Sequence, residues 1–112
     1  MKITERLLKG VTVLDLDGKL NMNANKMVKD RVAAAINNGS RKVVLNLAAV
    51  RYIDSSGLGE IVACYTNMHS NGGIVKLLNL DDKLQNLLIT TKLITIFEIF
   101  NSESEAVSSF GV

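Results

Sequence analysis

Between Lys42 and Tyr65 the apolar residues change their period, and that change restricts the fold more than any other feature of the chain. Val43, Val44, Leu45 and Leu47 form a short apolar run of the kind a buried strand uses, whereas Leu58, Ile61, Val62 and Tyr65 recur at helical spacing. The stretch Tyr52-Ile53-Asp54-Ser55-Ser56-Gly57-Leu58-Gly59 lies at the junction. A strand is therefore expected to pass into a helix running from Ser56 to Ser70, with two hydroxyls and an acid at the turn.

The rest of the chain repeats this alternation. Ile3 to Leu8 and Val11 to Leu16 read as two strands joined by a Lys9-Gly10 hairpin turn, the second apolar on both faces. Asn23 to Asn37 reads as a helix with Met27, Val28, Val32, Ala35 and Ile36 as its stripe. Asn21, Asn23 and Asn25 offer caps at its start, and Asn38-Gly39 ends it. Asn71-Gly72-Gly73 breaks the second helix before a strand over Ile74 to Leu78. Asp81-Asp82 starts a short helix carrying Leu84, Leu87 and Leu88, and Ile94 to Ile99 supplies a last strand. Ser102-Glu103-Ser104-Glu105 has capping-box spacing and opens a terminal helix through Val107 and Phe110. Ile89, Leu93, Ile94, Ile96 and Phe97 are expected in the core, with any exposed part of them a surface for a homodimer. An initial hairpin followed by alternating strands and helices predicts a mixed, mostly parallel sheet with helices packed against it.

Composition bounds the function. A chain of 112 residues with 47% hydrophobic content is expected to form one domain over 1–112 around one core. Thirteen basic against eleven acidic residues leave a net charge of +2, and the basic ones are scattered, so nucleic acid is not an obvious partner. The lone Cys64 has no disulfide partner and sits near the apolar face of the second helix, which predicts a reduced, buried thiol. Met1 to Gly10 lacks the apolar core of a signal peptide, and no apolar run approaches the length of a membrane span. A cytoplasmic protein with no membrane association and no cofactor is expected.

Chemistry at the turn is limited. Ser and Asp favour helix starts because their oxygens accept from first-turn N–H groups, so an ordinary capped strand-to-helix turn already accounts for Asp54-Ser55-Ser56-Gly57. The same N–H groups and the helix dipole favour an anion, so a phosphate on Ser55 or Ser56 would be tolerated there. A nucleophile elbow is excluded because Ile53 and Asp54 stand where its leading glycine is required, and no Gly-Lys-Ser/Thr completes a phosphate-binding loop. His69 is the only histidine, and 14 residues of helix, about 20 Å, separate it from Ser55. Without a base within reach no hydrolase is expected, and no Cys/His cluster points to a metal.

The segment Lys42-Val43-Val44-Leu45-Asn46-Leu47, followed by Val50 to Gly59, resembles the signature of the STAS domain shared by bacterial anti-sigma factor antagonists and sulphate transporter tails. The Asp17-Gly18-Lys19-Leu20 segment and the order of apolar blocks extend the resemblance over nearly the whole chain. It implies the STAS fold, with about five strands and four helices. It also implies an anti-sigma factor antagonist, with the serine after the acid, Ser55, phosphorylated by an anti-sigma factor that has serine kinase activity. The unphosphorylated form would bind that factor, the phosphorylated form would not, and a serine/threonine phosphatase would restore it. Ser56 would be a helix cap and an alternative acceptor. The expected contact surface is Asn21, Asn23, Asp54, Ser55, Ser56, Gly57, Leu58, Gly59 and Glu60, with no catalytic or metal-binding residue.

Two residues depart from the family pattern. Asn21 and Asn46 stand where acids are usual, and Asn keeps hydrogen-bonding capacity without the charge. If those acids orient the serine or the kinase, their absence slows or abolishes phosphorylation. The alternative is then a phosphorylation-independent STAS scaffold or ligand-binding module in a signalling complex.

Overall fold

The computed structural model describes residues 1–24 and 26–111. Strand β1 (Lys2–Leu8) turns through Lys9 and Gly10, both at positive φ, into β2 (Val11–Leu20). Two successive positive φ values give the turn a twist that matches the strands it joins. A single 3₁₀ turn, Met22–Ala24, leads to α1 (Met27–Asn37), followed by β3 (Lys42–Ile53), α2 (Ser55–Ser70) and β4 (Ile74–Leu78). Helix α3 (Asp82–Thr90), a 3₁₀ turn (Leu93–Thr95), β5 (Ile99–Phe100) and α4 (Glu103–Ser108) complete the chain.

The sheet order is β1-β2-β3-β4-β5, with β1 antiparallel to β2 and every other pair parallel. This is the mixed, mostly parallel five-stranded sheet with four helices that the alternation predicts. Leu14, Leu16, Leu45, Leu47, Val75 and Leu77 face the main core with α1, α2 and α3, while Val11, Val13, Val44 and Leu78 face α4. Buried on both sides, β2 and β3 read as near-continuous apolar runs over their first halves.

Several boundaries differ from the sequence expectation. Strand β3 runs beyond the apolar stretch that closes at Leu47, on to Ile53, and its second half is bulged. Between the pairs Asp15–Asn46 and Leu20–Ile53, five steps along β2 are matched by seven along β3. Each extra residue breaks the two-residue period by which a strand is recognised. Helix α1 starts at Met27 rather than Asn23, because Lys26 adopts a left-handed conformation (φ 72°) that stops the helix from extending backwards. Met27 is exposed, so the buried stripe is Val28, Val32, Ala35 and Ile36. Residues 94–98 are not a strand. Leu93–Thr95 form a 3₁₀ turn and only Ile99–Phe100 pair, with Leu77 and Leu78. Phe97 is in the core as expected, Leu93 and Ile94 are half-buried, and Ile89 and Ile96 are exposed. Among the described residues no helix is long and apolar enough to cross a membrane.

Candidate functional site

The turn from β3 to α2 is built around Asp54, whose extended backbone (φ −120°, ψ −171°) leaves the strand and starts the helix. Its Oδ1 accepts from Gly57 N at 3.1 Å, and its carbonyl accepts from Leu58 N at 2.9 Å. Asp54 is therefore the cap, a role expected of Ser56. The reason is position: Ser55 is already the first helical residue and Ser56 the second. Both serines are exposed. The backbone N–H of Asp54 donates to Leu20 O at 3.3 Å, which ties the turn to the end of β2.

Gly57 makes this contact possible. A Cβ on it would lie 2.1 Å from Leu20 O and 2.7 Å from Leu20 Cβ, so the first turn of α2 sits directly on the end of β2. Gly59, in the same motif, would place a Cβ with nothing within 4 Å. It leaves an open notch instead.

The remaining predicted residues separate into a surface and a support. Asp54, Ser55, Ser56 and Gly59 line the surface with Asn21, whose Oδ1 accepts from Ala24 N at 3.3 Å and so caps the 3₁₀ turn rather than α1. Gly57, Leu58 and Glu60 are buried. Glu60, expected on the contact surface, points inwards because its Oε2 accepts from Val28 N (3.0 Å) and Lys29 N (3.2 Å) at the start of α1. The side chain of Asn23, and Asn25 as a whole, lie outside the described residues.

The turn is flanked by two shallow depressions. One is lined by Lys19, Asn21, Met22, Tyr52 and Asp54, the other by Met22, Lys29, Ser56, Gly59, Glu60 and Ala63. Met22, shared by both, is 73% exposed, and Tyr52 is 41% exposed with Lys83 Nζ 5.4 Å from its ring centre. No local signal marks Met22, because a single exposed apolar residue breaks no periodicity, and surface lysines such as Lys19 and Lys29 are too common to stand out. An exposed methionine and tyrosine beside two serines form an adaptable, partly apolar face of the kind proteins dock on.

Asn46 lies elsewhere. It is about 17 Å back along the sheet from Ile53, counting about 3.3 Å for each of the five paired steps on β2. Its amide donates to Asp15 Oδ1 at 2.8 Å, and its carbonyl accepts from Asn79 Nδ2 (3.1 Å) and Ala48 N (3.2 Å). An acid here would face the Asp15 carboxylate with a like charge and could not donate to it. Asn46 therefore acts on the sheet, not on Ser55, and only Asn21 of the two asparagines adjoins the turn.

His69, near the far end of α2, stacks on Tyr65 with ring centres 5.9 Å apart. Cys64 is buried, and burial foremost, with the Glu60 carboxylate adding to it, pushes its thiol up to about 12. Among the described residues no three His, Cys, Asp or Glu side chains group as a metal site would require.

The pattern of a STAS domain matches residues 2–106, and the chain belongs to that family. It is 29% identical over 105 residues to the anti-sigma F factor antagonist of Paenibacillus polymyxa, covering 93% of this chain and 90% of that protein. The crystal structure of a candidate anti-sigma factor antagonist from Thermotoga maritima is 30% identical, covers 96% of this chain and 92% of its own, and superimposes with a TM-score of 0.88. SpoIIAA of Bacillus shares the fold at 20% identity in two states. The unphosphorylated form has a TM-score of 0.74 over 99% of this chain and all of SpoIIAA. The phosphorylated form has a TM-score of 0.76 over 97% of this chain and 99% of SpoIIAA.

Proposed function

We propose that this chain is an anti-sigma factor antagonist whose unphosphorylated form docks on an anti-sigma factor through the turn Asp54 to Gly59 and the neighbouring Asn21 and Met22. Phosphorylation of Ser55 by that factor, acting as a serine kinase, releases it, and a serine/threonine phosphatase resets it. The observation that carries this reading is the placing of Ser55 as the exposed first residue of α2, with the Asp54 carboxylate engaged by Gly57 N beside it. The antagonist named in Paenibacillus supports the partner class.

The physics of release does not need refolding. A phosphate at a helix N-terminus meets the positive end of the helix dipole, so the phosphorylated chain keeps its fold. SpoIIAA shares this fold in both its unphosphorylated and its phosphorylated form. In the complex the same group, carrying roughly −1.5 to −2 charges, must be desolvated beside Asp54. A hundredfold loss of affinity requires only about 2.7 kcal/mol, which a poorly paired anion at an interface can supply.

The test is incubation with the anti-sigma factor of the same organism and ATP, followed by intact mass and phosphosite mapping. One phosphate at Ser55, absent in Ser55→Ala, is expected. Ser55→Asp should bind the unmodified factor far more weakly than Ser55→Ala does. No phosphate, or one elsewhere, sinks the switch. Equal affinities of the two variants would instead favour a phosphorylation-independent scaffold.

A further inference from the structure

Among the described residues, helix α1 has no side-chain cap from the segment that leads into it. Lys26 precedes it in a left-handed conformation with no side-chain hydrogen bond to the helix, yet the first N–H groups of a helix need acceptors. Two of them, Val28 N and Lys29 N, are taken by Glu60 Oε2, a side chain from the second turn of α2. Glu60 is 4% exposed, and its Oε1 has no partner among the described residues. Burying a carboxylate with one oxygen unpaired among the described residues carries a desolvation cost, which the two N–H groups at the start of α1 offset only in part.

The carboxylate adds position. The segment between Leu20 and Val28 is held at both ends by the first two turns of α2: at Leu20 by Asp54 N and the close approach of Gly57, at Val28 by Glu60. Within that span, Asn21 and the exposed Met22 stand beside the serines while Ala24 is buried. We infer that Glu60 is a positioning residue, a strut that fixes the Asn21–Ala24 turn and the start of α1 relative to Ser55 so that the two halves of the docking face keep one geometry. That this geometry matters for binding rests on the function proposed above. Glu60 itself is almost wholly buried, so its effect on the face runs through the turn it holds.

The test compares Glu60→Met, which keeps length and volume without an acceptor, with Glu60→Gln, which keeps an acceptor oxygen, in the full-length chain. Amide exchange at Val28 and Lys29 in Glu60→Met should accelerate by about tenfold or more, with the signals of Met22 and Ala24 shifted, while Val44 and Leu45 in the central strand keep their protection. Affinity for the anti-sigma factor should fall about fivefold or more. Glu60→Gln should restore both. Unchanged exchange at Val28 and Lys29, or equal loss at Val44 and Leu45, overturns the strut. A loosened turn with undiminished affinity overturns its part in docking. If the wild-type chain binds no anti-sigma factor, the proposed function fails, and the exchange data alone decide whether Glu60 is a strut.

Discussion

Gly57 and Gly59 stand two residues apart in one motif for opposite reasons. A methyl group at Gly57 would meet the backbone oxygen of Leu20 at 2.1 Å, and neither a strand end nor a helix start can give way cheaply. Gly57→Ala is expected to cost about 1–3 kcal/mol in urea unfolding, as overpacking in a close contact does. A methyl at Gly59 would meet nothing. Gly59→Ala should therefore raise stability by about 1 kcal/mol, the ordinary helix-propensity gain, while weakening capture of the anti-sigma factor if the docking face crosses that notch. A variant that is both more stable and fully active would remove Gly59 from the face. The sequence marks both glycines equally. Only the approach of β2 separates them.

Helix α4 is the element least able to stand alone. It has six residues, well short of what an isolated helix needs in water. Ser102 caps it, its side chain accepting from Glu105 N, and Ala106 and Val107 are buried against the sheet. The third tie comes from mid-strand: Lys76 of β4 is buried, with Nζ 2.8 Å from Ser109 Oγ, 3.0 Å from Glu98 Oε2 and 4.4 Å from the ring centre of Phe110. Lys76→Met should cost about 1–3 kcal/mol through the hydrogen bonds it abandons. In amide exchange, α4 should lose protection before the sheet does. The terminal helix was legible because a capping box is a local signal. The last strand was not. Ile94 to Ile99 has a strand's composition, but Lys92 at φ 64° turns the chain, Phe97 meets Tyr65 edge-on at 5.2 Å, and β4 offers pairing to only two residues.

Across the whole molecule, one polar network joins elements that are distant in sequence on the α4 side of the sheet. Arg6 of β1 donates to both oxygens of Asp15 on β2 and to Glu103 of α4, while Asn46 of β3 donates to Asp15 and accepts from Asn79. The hydrogen bond from Arg6, helped by that from Asn46 and opposed by burial, holds the Asp15 carboxyl below its usual range. Its folded-state pKa is thus depressed, so its contribution to stability is present above about pH 4, the unfolded value, and is lost as pH falls from there through the folded value. Asp15→Asn should cost about 1 kcal/mol at pH 7, a modest figure because the pair is part-exposed. The difference from wild type should close below about pH 4 in urea unfolding followed against pH. A gap independent of pH would mean that packing, not charge, carries the effect.

The order and type of most elements, the mixed sheet, the family resemblance and the turn at which a strand hands two serines to a helix are all legible in the chain. Each of these is written locally, in periodicity, caps and a short motif. Three-dimensional packing sets what sequence neighbours cannot: that Asp54 rather than Ser56 caps α2, that Asn46 serves Asp15 and not Ser55, and that Glu60 turns inward to cap a helix some thirty residues earlier in the chain. A hydrogen bond between distant residues leaves no spacing to read, and a bulge erases the spacing a strand would have shown. The serine pair was visible from the first; the frame that holds Asn21 and Met22 beside it was not.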